Sequence, residues 1–177
     1  MHHMIDLETF STEYNSLIVS IGIAAFDASG IYALRHWPVD TPLELLYHFH
    51  IDPNTVKWWL TQSQEAQQSL LGSDNTVSSL EHALQEVKLF IEDSEGVWGN
   101  GATFDNVILR HAFNVVGIKK PWSHRIDRCY RTVKALHPKV NVLRYGIAHN
   151  AADDAQYQAE YLLELNRQFG VLTRFEQ

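Results

Sequence analysis

Polar and apolar residues alternate at the start of the chain. In Met4-Ile5-Asp6-Leu7 they fall on opposite faces, the period of two that marks a strand. Leu17 to Phe26 is a run of Ile, Val and small residues that fits a largely buried second strand. Asp27-Ala28-Ser29-Gly30 has turn chemistry, so Ile31 to Trp37 is expected to close a hairpin as a third strand. The period then changes. Asp52-Pro53 combines an N-cap with proline at the first helical position, and the helix it opens is expected to run to about Leu71, before Gly72. Thr76 or Ser78 opens the next, with Leu80, Leu84, Val87 and Ile91 at helical spacing and an end near Asp93. Val97-Trp98-Gly99 reads as a strand. Thr103 is expected to cap a helix carrying Val107, Ile108, Ala112 and Val115 toward the core. Asp127 through Leu136 is expected to be helical, and Asn150 to Phe169 a long helix with Ala155, Ala159, Leu162, Leu163 and Leu165 inward. Three strands followed by helices around further strands indicate an α/β domain with a mixed sheet.

Composition narrows this picture. At 177 residues and 45% hydrophobic content, with no linker, low-complexity tract or repeat, one compact domain over residues 1–177 is expected. The longest apolar run falls far short of the about 20 residues that span a bilayer, so no membrane partner is expected. Strand-like sequence begins so near Met1 that a secretory signal has no room. Cys129 is the only cysteine, which excludes an intramolecular disulfide and makes a reducing cytoplasm the expected home. His2 and His3 fit either a native start or a cloning remnant.

The formal charge of −7 argues against a protein that coats long nucleic acid, because that mode needs many Lys and Arg contacts to phosphate. The charge is unevenly placed, however. Eight of the fourteen basic residues (Lys119, Lys120, Arg125, Arg128, Arg131, Lys134, Lys139 and Arg144) lie in one stretch, with Asp127 as its only acid. Such a stretch is a solvated helix and loop or, beside an acidic site, a patch for a short polyanionic strand.

The candidate chemistry is acidic. Asp6 and Glu8 are two apart on a strand and so share a face, which is unfavourable unless a cation or a shared proton relieves them. Asp105 follows the turn Gly99-Asn100-Gly101 and opens a helix, where the dipole favours any acid; alone it says little. If Asn150 is an N-cap, Asp153 takes the third helical position and completes the capping arrangement. Asp154 then lies one step further round, free to face the sheet, with His149 in the loop just before it. Histidine titrates near neutrality, which makes His149 a candidate base.

In this order, Asp6-Leu7-Glu8, Asp105 and His149-Asn150-Ala151-Ala152-Asp153-Asp154 resemble the three motifs of the DEDDh subgroup of the DnaQ-like 3′–5′ exonucleases, whose fold is ribonuclease H-like. Three further stretches resemble a branch of small bacterial and phage exoribonucleases: Val56-Lys57-Trp58-Trp59-Leu60, Val97 to Asn106, and Asp127-Arg128-Cys129-Tyr130-Arg131-Thr132. The last departs from a plainer Arg-Asp-x-Arg-Thr run by Ile126 and by the inserted Cys129-Tyr130.

The resemblance implies a ribonuclease H-like mixed sheet flanked by α-helices and a two-metal phosphodiester hydrolase. Asp6, Glu8 and Asp154 would hold one Mg²⁺ or Mn²⁺, and Asp6 with Asp105 a second. His149 would take the proton from the attacking water. The substrate would be the 3′ end of single-stranded RNA or DNA, with RNA favoured, and the product a 5′-mononucleotide. Phe10, Trp58, Trp59 and Phe104 are the aromatic candidates for stacking on bases. Adjacent tryptophans on a helix point about 100° apart, so one of the pair is expected to face substrate and the other the core. Thr9 and Asn106 suit the terminal sugar or phosphate, and equally suit local turn or helix roles. The alternatives are a DNA-directed exonuclease of the same superfamily and a non-catalytic domain that captures nucleotides or RNA ends. The resemblance also permits a homodimer.

Overall fold

The computed structural model describes residues 1–72 and 77–172. Among them six strands form one mixed sheet. At its centre is β1 (His2–Thr9), antiparallel to β2 (Ile18–Asp27), which is antiparallel to β3 (Gly30–Asp40). The two-residue strand β4 (Ser78–Ser79) pairs parallel with β3 at one edge. On the other side of β1 lie β5 (Gly96–Gly99) and β6 (Asp127–Cys129), both parallel, so the order is β4-β3-β2-β1-β5-β6.

The alternation in β1 sorts the molecule into two cores. Ile5 and Leu7 pack with Leu80, Leu84 and Val87 of α3 (Leu80–Ile91) and Ile108 and Phe113 of α4 (Asp105–Val115). On the opposite face Met4, Ala24 and Phe26 pack with Ala155, Ala159 and Leu162 of α6 (Ala151–Phe169). Asp6 and Glu8 continue the Met4 face, so both carboxylates look toward α6 rather than into oil. β1 also starts earlier than the alternation alone suggests. His2 and His3 are buried rungs of the ladder, paired with Phe26 and Ala25 on β2 and with Gly96 and Val97 on β5.

Several expectations need correction. The helix opened by Asp52-Pro53 is two helices, α1 (Pro53–Trp59) and α2 (Gln64–Leu71). Side chains break it: Thr61 Oγ1 and Gln62 Nε2 both donate to the Trp58 carbonyl and close α1, while Ser63 Oγ accepts from the Ala66 N–H and starts α2. Ser79, not Ser78, caps α3, and Thr76 lies outside the described residues. Thr103 caps nothing; Phe104 is the N-cap of α4 and makes no side-chain cap bond. The segment from Asp127 begins as strand β6 and becomes helical only in α5 (Tyr130–Leu136), where Cys129 Sγ accepts from the Thr132 N–H. The last described helix agrees with expectation: Asn150 Oδ1 accepts from the Ala152 and Asp153 N–H groups and caps α6. Among the described residues, no helix is long and apolar enough to cross a membrane.

Candidate active site

Five residues from four parts of the chain meet where β1 passes under the start of α6. Asp6 and Glu8 come from β1, Asp105 from the first turn of α4, His149 from the turn before α6 and Asp154 from the first turn of α6. Asp6 Oδ1 accepts from Gln158 Nε2 at 2.6 Å. Asp105 is almost completely inaccessible and is held by backbone: Oδ1 accepts from the Leu7 N–H at 3.1 Å and Oδ2 from the Asn100 N–H at 2.6 Å. Asp154 is half-buried, pairs with the Arg144 guanidinium, and accepts from the His149 N–H at 3.2 Å. Ligand-capable atoms of Glu8, His149 and Asp154 all lie within 4.8 Å of one another.

Electrostatics confirm how crowded this floor is. Burial, then the neighbouring carboxylates of Asp105, Glu8 and Asp154, hold the Asp6 pKa well above the usual carboxylate range. Glu8 is pushed up to about 8 by burial and by Asp154 and Asp105, with Arg144 opposing. Burial lifts Asp105 to about 6 even against the backbone N–H groups that bond it and the Arg131 charge, and burial also raises Asp154. Glu8 Oε1 is buried with no hydrogen-bond partner among the described residues. Oxygen donors that cannot all ionise alone, one of them unsatisfied, fit a hard divalent cation.

Two glycines let the acids approach. Gly22 lies opposite Asp6 in the β1–β2 ladder, and a Cβ there would stand 2.0 Å from the Ala151 carbonyl carbon. The start of α6 therefore rests directly on strand backbone, which brings Asp154 over Asp6 and Glu8. Gly99, at the end of β5, plays a similar part for α4; its Cβ would meet Asn106 Oδ1 at 2.8 Å and Asp105 Cβ at 3.0 Å.

His149 has φ 65°, the only positive φ outside glycine among the described residues. Histidine is among the residues enriched in this left-handed region, yet the conformation still costs about 1–2 kcal/mol. Its ring is held edge-on by Trp58 at 4.9 Å and Trp59 at 5.9 Å between centroids. The two tryptophans differ in exposure: Trp58 is 44% exposed, while Trp59 is buried and donates from Nε1 to the Thr9 carbonyl. Above the carboxylates opens a cavity of about 1640 Å³.

Of the residues suggested for substrate, Thr9, Trp58, Trp59 and Phe104 line this cavity. Phe10 and Asn106 are not brought to it. Phe10 is half-buried between the Ile5–Leu7 core and a small cluster of Trp59, Ala66 and Leu70, and Asn106 Nδ2 donates to the Val97 carbonyl and Asp127 Oδ1. Asp153 stays out of the floor but does not complete the capping arrangement expected of it: its Oδ2 accepts from the Ile147 N–H in the preceding turn, while the Asn150 N–H donates to the Ile147 carbonyl. Two site residues escaped sequence reasoning. Gln158 sits four positions after Asp154, on the same helix face, and that polar residue among inward alanines and leucines was the available signal. Arg144 registered only as one charge among eight.

In this setting the comparisons are informative. The nuclease domain of 3′hExo, a DEDDh family member bound to rAMP, superposes with a TM-score of 0.68 at 11% identity, over 97% of this chain and 94% of that chain. Exonuclease X in complex with 5′ overhanging duplex DNA gives 0.60 at 18%, over 96% and 93%. A 3′-exonuclease that specifically recognises the 3′ end of the histone mRNA stem-loop gives 0.56 at 9%, over 95% and 82%. At these identities the likeness establishes the fold, the mixed α/β architecture of the DEDDh exonucleases. Among curated proteins no significant sequence match is found. The model of the 3′–5′ exoribonuclease Rv2179c-like domain matches residues 1–166. The chain belongs to the Rv2179c-like 3′–5′ exoribonuclease domain family.

Proposed function

We propose that this exonuclease trims the 3′ end of single-stranded RNA, releasing 5′-mononucleotides, with Asp6, Glu8, Asp105 and Asp154 holding two Mg²⁺ or Mn²⁺ ions and His149 as general base. The observation that carries this reading is the convergence of Glu8, His149 and Asp154 within 4.8 Å beside two more buried carboxylates, at the floor of an open cleft. DEDDh exonucleases generally use divalent ions. When bound, such ions would acidify the attacking water and stabilise charge on the leaving 3′-oxygen.

The protein's own groups do the rest. Water adds to the terminal phosphorus, the P–O3′ bond breaks, and the shortened strand keeps its 3′-hydroxyl. His149 takes the water proton and releases it to solvent at the cleft, and the leaving 3′-oxygen takes a proton from solvent to become the new 3′-hydroxyl. Its backbone N–H holds Asp154, so base and carboxylate keep a fixed relation. The rings of Trp58 and Trp59 hold the imidazole, and the exposed Trp58 edge and Phe104 offer faces for the last bases. The family description and a relative bound to rAMP favour RNA; a relative bound to duplex DNA makes DNA the comparison to run.

The test is incubation with 5′-labelled single-stranded RNA, single-stranded DNA and duplexes, with Mg²⁺, Mn²⁺ or EDTA. A ladder shortening from the 3′ end of RNA, only with metal, is the expected result. Laddering of DNA in preference to RNA corrects the substrate, and activity that survives EDTA removes the metal-dependent reading.

A further inference from the structure

The residues lining the cleft divide by charge. Those from 11–12 and 52–58 (Ser11, Thr12, Asp52, Asn54, Thr55 and Trp58) bring no cation. Those from α5 and the segment after it bring Arg131, Lys134, Lys139 and Arg144. Arg144 is committed to Asp154. The other three are exposed, and none forms an ion pair among the described residues. Lys134 lies over the Tyr161 ring at 4.8 Å and the Tyr130 ring at 5.5 Å, which steadies the ammonium without neutralising it. Arg131 and Lys134 are three apart on a helix and so share a face. Lys139 follows just beyond the end of α5, close to Val140, whose N–H donates to the Tyr161 hydroxyl and pins the segment to α6.

The cleft is also too large for one nucleotide. At about 1640 Å³ it exceeds the roughly 300–1,000 Å³ of an ordinary small-molecule site. Space for several residues of a strand, with unneutralised cations on one contribution to the lining and none on the other, defines a direction.

We infer that Arg131, Lys134 and Lys139 form a track for the phosphates upstream of the scissile bond, so that a single strand leaves the carboxylates along α5 and not along α1. This rests on the exonuclease reading above and gives its substrate a path. It also explains how a protein of charge −7 can hold RNA: the cations that matter are gathered beside the acidic floor. The basic stretch contains its own control, because Lys119, Lys120, Arg125 and Arg128 lie outside the cleft lining.

The experiment compares Lys134→Gln/Lys139→Gln with Lys119→Gln/Arg125→Gln, on an RNA decamer and on the dinucleotide UpU. For the first pair, KM for the decamer should rise roughly tenfold while kcat stays within about twofold and the dinucleotide is unaffected. The plot of log affinity against log salt for the decamer should lose about 0.7 of slope for each phosphate contact removed. Lys134→Arg/Lys139→Arg should restore both, and the control pair should match wild type. An unchanged decamer KM and salt slope in the first pair, or an equal effect in the control pair, overturns the track. Equilibrium binding of the same decamer, read by fluorescence anisotropy, separates the two claims. Wild-type protein that binds with a Lys134- and Lys139-dependent slope yet never cuts sinks the exonuclease reading and keeps the track; protein that cuts with an unaltered slope in the variant does the reverse.

Discussion

Asp105 and Asp154 both arrive in the floor from the first turn of a helix, but they are held in opposite ways. Asp105 is built in: two backbone N–H groups, from β1 and from the turn after β5, converge on its oxygens, while Phe104, the N-cap of α4, makes no side-chain cap bond. Asp154 is held by the Arg144 side chain and by the strained turn at His149, while Asn150 does the capping of its helix. One acid doubles as a structural joint. The other leaves structure to its neighbours and is free to serve chemistry.

Substitutions at the two supporting glycines give the sharpest contrast. Gly22→Ala should be the most damaging change, because its Cβ meets α6 backbone at 2.0 Å and nothing there can yield without lifting Asp154 off Asp6 and Glu8. Loss of activity together with a large fall in melting temperature is expected. At Gly99 the obstructing atoms are side chains at 2.8 Å and beyond, so Gly99→Ala should cost less. A reversed order in calorimetry and rate would remove the asymmetry.

The acids themselves come next. Asp154→Ala should lower turnover at least about a hundredfold yet leave stability close to wild type. Asp105→Ala should lower both, since two N–H groups lose their acceptor at about 1–3 kcal/mol each. Chemical denaturation beside a rate assay checks this; equal stability of the two variants would show that the backbone bonds to Asp105 contribute nothing.

These contrasts indicate how far local sequence reaches. Alternation was enough to put Asp6 and Glu8 on one face of β1, and Asn150 was legible as the N-cap of α6, although Asp153 bonds the Ile147 N–H and not the Asn150 N–H. Both are short-range facts. The hydrogen bond from Gln158 to Asp6 joins residues 152 positions apart, and no local rule announces it. β6 exists because Asp127, Arg128 and Cys129 find Val97, Trp98 and Gly99 as partners, so a helical expectation there lost to tertiary pairing. The break between α1 and α2 was in principle legible in Thr61-Gln62-Ser63, but helical periodicity on both sides concealed it. Asp105 gave the weakest signal and proves the most deeply enclosed, because its partners belong to β1 and to the turn after β5.

The carboxylates also make stability depend on pH in a definite sense. Glu8 and Asp6 keep their protons in the folded state to higher pH than in the unfolded chain, so raising pH through that window removes protons from the fold at a cost. Buried His3, lowered to about 4 mainly by burial, acts oppositely, but its contribution is complete once pH passes about 6.5, the unfolded histidine value. Between about 6.5 and about 8 the melting temperature of EDTA-treated protein should therefore fall. Mn²⁺ should reverse the fall, and Glu8→Gln should make it shallower, leaving the share that Asp6 contributes. A flat profile in the wild type would mean that the floor is less crowded than its geometry indicates.

The smallest expected effect concerns the division of labour at α6. Asn150→Ala removes the acceptor of two N–H groups and should cost about 1 kcal/mol, with the rate falling only as far as Asp154 is misplaced. Stability loss without any change in metal affinity would confirm that capping and chemistry are separate duties at this helix start.

Gln158 reaching back to Asp6 has a consequence in time. β1 precedes α6 in the chain, so a growing chain carries Asp6 and Glu8 long before Asp154 and His149 exist to face them. Asp154, one of the four carboxylates, reaches the floor only when α6 docks on Gly22, so the acids of β1 wait for a partner that the chain supplies much later.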